Sequence, residues 1–183
     1  MTPVKEPSRD LPRPPERVAE GSEIIPLGGA LLADWIDGQG AVVGNERGEI
    51  LLVQRVDSGV WLYPTGWADV GYSPSEIALK EVEEETGIEC EVLRPIAVLD
   101  GMRLGFTHVP LYSIVFHCRA TGGELAGHPL ETDGVGWFGR DELPPNTAGA
   151  TWWAPMAFAA IDGEPMVTTF DSVREPIWRS TGH

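Results

Sequence analysis

The chain has 183 residues, 42% hydrophobic and 22% charged, with a formal net charge of −15. That length and apolar share suffice for one substantial core, while the acidic balance argues against a non-specific nucleic-acid surface and makes recognition of phosphate depend on bound cations. No apolar stretch is long enough to cross a bilayer, and Cys90 and Cys118, without a C-x-x-C pairing, indicate reduced thiols in a cytoplasmic protein, with neither a zinc site nor a disulfide framework.

Residues 1–20 carry Pro3, Pro7, Pro12, Pro14 and Pro15 among charges and read as an extended or disordered N-terminal arm, without the apolar core of a signal peptide. Its bland reading is a solvated tail, and its sharper one an arm that packs on a partner in a homodimer. Residues 21–183 are expected to form a single domain, and no internal repeat divides them. Apolar runs at 41–43 and 50–53, parted by a polar link with Asn45, Glu46, Arg47 and Gly48, predict a hairpin. Trp61, Leu62, Tyr63 and Pro64 then lead through Thr65 into a loop at Gly66.

A helix is expected next. Ser73 can cap it, Pro74 suits its first position, Glu76 completes a capping box and Gly87 supplies the stop. At about 100° per residue Ala78, Leu79, Val82 and Thr86 fall on one side, and Glu81, Glu84 and Glu85 on the other. Like charges one turn apart cost about a few tenths of a kcal/mol each, so three clustered carboxylates invite a cation, and oxygen-only ligands favour Mg²⁺ or Mn²⁺. The competing reading is a solvated acidic face, but Ile77 projects toward the acids and requires that side to pack partly beneath another segment. Strands are predicted at 90–99, 111–118 and 135–138, and a second helix, rich in Ala and Trp, at 151–161, with Pro155 tolerable only in its first turn. Strands flanked by two helices predict an α/β fold, an α/β/α sandwich around a mixed central sheet.

Residues 66–88 resemble the Nudix box, G-x5-E-x7-R-E-U-x-E-E-x-G-U with U aliphatic. Gly66, Glu81, Val82, Glu84, Glu85, Gly87 and Ile88 match, whereas Tyr72 and Lys80 replace the usual glutamate and arginine. The resemblance implies hydrolysis of the pyrophosphate bond in a nucleoside diphosphate linked to another moiety, as in a nucleoside triphosphate, a nucleotide sugar or ADP-ribose. In the family the replaced pair ties loop to helix. A phenol beside an ammonium can still hydrogen-bond or make a cation–π contact, so altered support with retained metal ligands is expected.

The same resemblance makes Glu81 and Glu85 the principal metal ligands, with the carbonyl of Gly66 a further oxygen and Glu84 either a ligand or the group that orients water. It also points to a later-loop carboxylate, for which Glu131 is the first candidate and Glu124 and Asp133 weaker ones. Arg55 and Arg103 are candidate phosphate contacts, and Trp67, in the box loop, is a candidate for stacking on a base. Trp61 and Trp137 read as core, Trp152 and Trp153 start the second helix, and His108 and His117 read as structural histidines. Two other classes compete. An isopentenyl diphosphate isomerase would need a cysteine just before the box, where Thr65 and Gly66 stand, and a non-catalytic Nudix-fold nucleotide-binding module would lose the box carboxylates that this chain keeps.

Overall fold

The structure is a computed structural model and describes residues 38–69, 71–105 and 111–174. The arm expected at residues 1–20 lies outside the described residues, as does His108. Among the described residues the elements run β1 (Gly38–Gly44), β2 (Ile50–Arg55), β3 (Trp61–Leu62), β4 (Thr65–Gly66), α1 (Pro74–Thr86), β5 (Ile88–Asp100), β6 (Tyr112–Gly123), β7 (Thr132–Phe138), α2 (Ala150–Ile161) and β8 (Thr169–Phe170).

The expected hairpin forms, and Asn45 closes it, its Oδ1 accepting from the backbone nitrogens of Arg47 at 2.9 Å and Glu49 at 3.1 Å. Beyond the Gly44–Ile50 pair the two strands part. β2 runs antiparallel to β7, and β1 runs parallel to β6 while its first residues pair antiparallel with β4, Gln39 opposite Gly66 and Gly40 opposite Thr65. The sheet is therefore mixed, in the order β3-β2-β1-β6-β5-β8, with β4 added on β1 and β7 on β2. This splaying sets the loop before α1 at the end of the central strand.

Alternation along the strands divides the core. Ala41, Val43 and Leu51 pack with Ala78 and Val82 of α1, whereas Val42, Ile50 and Leu52 face the other way and pack with Trp153, Ala157 and Phe158 of α2. Those two layers make the expected α/β/α sandwich. Strands β5 and β6 run longer than their apolar cores predicted, and β6 continues past Cys118 through Arg119, which pairs across the ladder with Glu91. Cys118 is buried and Cys90 half-buried, both as free thiols. No helix among the described residues is long and apolar enough to cross a membrane.

One helix expectation needs correction. Pro155 lies inside α2, beyond its first turn. The carbonyl that it leaves without a partner belongs to exposed Thr151, where water can satisfy it. The acidic side of α1 is covered, as the position of Ile77 requires: Glu85 is only 5% exposed, because the β4 segment folds over that side of α1.

Candidate active site

The ends of α1 are fixed by the residues that the sequence singles out. Ser73 Oγ accepts from the backbone nitrogen of Glu76, and the Glu76 carboxylate accepts in return from the backbone nitrogen of Ser73 at 2.6 Å. Such a cap contributes about 1 kcal/mol. At the other end Gly87 takes φ 70°, donates to Glu83 O at 2.8 Å, and lies so near Glu124 O that a Cβ there would come within 2.5 Å. A left-handed residue in so tight a space calls for glycine.

The helix thus held faces a groove of about 460 Å³ whose lining includes Thr65, Gly66, Trp67, Glu81, Glu84, Glu85 and Glu131, together with Arg55, Asp57, Asp69 and Lys80. Glu81 lies directly against Gly66. A Cβ on that glycine would fall 1.9 Å from Glu81 Cδ and 2.2 Å from its Oε1, so any side chain there would push the Glu81 carboxylate out of this position. Glu85 Oε2 accepts from the backbone nitrogen of Thr65 at 3.1 Å, which ties the loop down over α1. Burial raises the Glu85 carboxyl to about 8; the Thr65 N–H works against that shift, and the charges of Glu81 and Glu131 add to it. Burial also raises Glu81, opposed by the neighbouring Lys80 ammonium. Glu84 is the most open of the three helix acids and pairs with Lys80 Nζ at 3.3 Å.

Glu131 reaches this groove from far along the chain, and backbone hydrogen bonds explain how. Ala126 N donates to Thr86 O at 2.8 Å, His128 N to Glu85 O at 3.3 Å, and Val56 N to Glu131 O at 3.1 Å, so the link from β6 to β7 is moored to the end of α1 and to β2. His128 Nδ1 stands 3.9 Å from Glu131 Oε2.

Among the other residues read from the sequence, Gly66, Arg55 and Trp67 line the groove beside the acids. Arg103 does not line it, in keeping with the alternative reading of a surface arginine. It sits in the turn after β5, where its guanidinium donates to Ser172 O at 3.0 Å and its backbone nitrogen to Asp100 Oδ1 at 3.2 Å. Glu124 lies beside the Gly87 cap and Asp133 is exposed on β7, both away from the groove lining. Trp61 stacks edge-on with Phe138 at 5.1 Å between ring centres, Trp137 packs against the α1-side core, and His117 is buried on β6, as structural residues would be.

The replacement for the usual loop tie is also different from the expected one. Lys80 Nζ pairs with Asp69 Oδ2 at 3.1 Å, while Tyr72 is exposed and its backbone nitrogen bonds Asp69 O at 3.3 Å. The lysine reaches a loop acid, and the phenol is not its partner. Sequence reading also passed over Asp57, which takes both Arg55 Nε at 3.0 Å and Nη2 at 2.7 Å. A two-residue spacing between opposite charges was the available signal.

A second, apolar lobe of about 430 Å³ adjoins the acidic groove. The two share Arg55, Thr65, Gly66 and Trp67, and the apolar lobe continues past Leu62, Tyr63, Leu99 and Trp152 with no acid among its described lining residues. Trp67, 66% exposed, stands on the seam. An anionic linkage over the carboxylates with an uncharged planar group alongside is the ligand shape that this pair of lobes fits.

The donor set suits a hard divalent cation, being all oxygen, crowded with like charge and cradled by a glycine. It is not drawn together: among the described residues no three His, Cys, Asp or Glu side chains converge on a point that could hold a metal ion. Holding one requires the glutamates to turn from Gly66, Lys80 and Thr65, their present neighbours.

A mixed sheet between two helices, with a capped acidic helix behind a glycine loop, is the arrangement of the Nudix fold. The comparisons agree. The NUDIX domain profile matches residues 36–157, and the chain belongs to that family. It is similar to YjhB of Bacillus subtilis (strain 168), named provisionally as an ADP-ribose pyrophosphatase, at 35% identity over 60% of this chain and 52% of YjhB. The chain therefore spans about half the length of that relative. A MutT-like protein of Streptomyces ambofaciens is 31% identical over 71% of this chain and 80% of its own. Among solved structures, an ADP-ribose pyrophosphatase from Streptococcus suis 89-1591 superposes with a TM-score of 0.62 at 34% identity, covering 73% of this chain and 97% of that one.

Proposed function

We propose that this protein uses Mg²⁺, or Mn²⁺ in its place, to hydrolyse the pyrophosphate bond of a nucleoside diphosphate linked to another moiety. The observation that carries this reading is the two-lobed cleft, whose acidic half holds the box glutamates with Glu131 and whose apolar half begins at Trp67. In this reading Glu81 and Glu85 hold the metal with the Gly66 carbonyl, and Glu84 is a further ligand or orients water. When bound, the cation supplies charge neutralisation at the phosphoryl oxygens and acidification of water.

The remaining work falls to the chain's own groups. Glu131, exposed in the groove, can take a proton from water at its carboxylate oxygens, with His128 Nδ1 3.9 Å away. Arg55, oriented by Asp57, presents its guanidinium to the diphosphate at the seam. Trp67 offers a flat apolar face to the nucleoside, and the apolar lobe excludes water from that half of the substrate. ADP-ribose-like and nucleotide-sugar substrates suit the paired lobes, in keeping with the names of the YjhB and Streptococcus suis relatives.

The test is a panel of nucleoside triphosphates, nucleotide sugars and ADP-ribose with Mg²⁺ or Mn²⁺, reading phosphate, pyrophosphate and nucleoside monophosphate, on wild type beside Glu85→Gln. Turnover abolished by the substitution supports the proposal. Equal turnover in both proteins refutes the site. No turnover on any substrate, with no metal binding by calorimetry, would instead favour a non-catalytic nucleotide-binding module.

A further inference from the structure

Gln39 of β1 is 1% exposed, and neither its side-chain nitrogen nor its side-chain oxygen has a hydrogen-bond partner. Buried polar groups are nearly always paired, so an amide left this way calls for an explanation. Packing does not provide one, since the residues that follow on the same face of β1, Ala41 and Val43, are apolar and fill the core beneath α1.

Its position is informative. Gln39 stands directly opposite Gly66 across the antiparallel β1–β4 pair. Residues paired in this way project from the same face with their Cβ atoms about 5 Å apart. The Cβ direction at Gly66 runs straight into the Glu81 carboxylate, 1.9 Å from Cδ. The Gln39 amide therefore rises from the sheet beside Glu81, beneath α1 and behind the groove. The cation paired with Glu81 among the described residues is Lys80, whose Nζ is 3.8 Å from Oε1 but lies closer to Asp69 at 3.1 Å and Glu84 at 3.3 Å. The unspent donor on the sheet side is the Gln39 amide.

We propose that Gln39 is a positioning residue for Glu81, its side-chain N–H donating to the carboxylate oxygen that faces the sheet when the other oxygen turns to a divalent cation. The inference rests on the metal-dependent reading above. A ligating carboxylate is held in orientation by partners behind it, and losing such a partner costs about 10–100-fold in metal affinity. It also explains why the amide is unpaired while Glu81 packs against Gly66: its partner arrives when the carboxylate re-aims.

The test is Mn²⁺ binding by calorimetry, without nucleotide, on wild type, Gln39→Met and Gln39→Leu, with Tm of each measured in EDTA. A purely structural amide would change Tm alone. The proposal expects Tm in EDTA to hold or rise, because an unpaired buried amide is removed, while Mn²⁺ affinity falls about tenfold or more. Wild type that binds no Mn²⁺ refutes the metal reading itself. Wild type that binds while both variants bind equally well overturns the role of Gln39. Should neither variant fold, the side-chain ¹⁵N–H₂ resonances of Gln39 in wild type decide: shift and slowed exchange on adding Mg²⁺ support the proposal, and unchanged signals overturn it.

Discussion

Glu85→Gln in the metal-free protein makes the strongest physical prediction. Its carboxyl is raised from an ordinary 4.5 to about 8, chiefly by burial. Between those limits the folded state keeps the proton that the unfolded state has released. Protons bound in the unfolded state are then fewer than in the folded, so stability falls as pH rises through this window. It is fully present near pH 4 and lost above pH 8. The displacement sets a ceiling of about 5 kcal/mol, and side-chain movement and water entry lower the realised value. Urea unfolding in EDTA at pH 5, 6, 7 and 8 should show wild type losing at least about 1 kcal/mol more than Glu85→Gln over that range. The comparison cancels the titrations of groups remote from Glu85, since both proteins share them. Parallel stability curves for the two would refute the reasoning about burial at this site.

Four further outcomes are expected. Gly66→Ala drives a methyl into Glu81 at 1.9 Å, so metal affinity by calorimetry and turnover should both fall at least about tenfold while circular dichroism reports an intact fold. Gly87→Ala must hold φ near 70° with its methyl against Glu124 O, and should cost about 1–2 kcal/mol or more in urea unfolding. Asp69→Asn removes an exposed pair and should lower stability by less than about 1 kcal/mol, yet it releases the loop from Lys80 and so should show as faster proteolytic nicking of the loop before α1. Trp67→Ala, at an exposed position, should leave Tm within about 2 °C and raise KM for nucleotide several-fold more than it lowers kcat.

The helix that carries the acids was readable because its signals are local. Ser73, Glu76 and Gly87 act within four residues of the groups they satisfy, and the structure reproduces each bond. The hairpin at residues 45–49 was legible for the same reason. What sequence could not supply was contact across long separations. Ile77 signals that the acids' side is covered, but that the cover reaches Glu85 through Thr65, 20 residues earlier, is visible only in the fold. Lys80 finds Asp69, and Tyr72 is exposed, because the loop closes on that acid; adjacency within the motif gave no hint of this. Arg103 was weighed by charge alone, whereas its place depends on Ser172, 69 residues later. Gln39 carried no chemistry in sequence, and only the β1–β4 register brings it beside the box.

The central claim is that the carboxylate groove directs water at a pyrophosphate with the help of a divalent cation. Hydrolysis of ADP-ribose in ¹⁸O-water, with Mg²⁺ and with EDTA, by wild type and Glu85→Gln, tests it most directly. The account predicts ¹⁸O in a phosphate-bearing product from wild type with Mg²⁺, and none above background with EDTA or with Glu85→Gln. Equal labelled product in EDTA, or from Glu85→Gln, would contradict it.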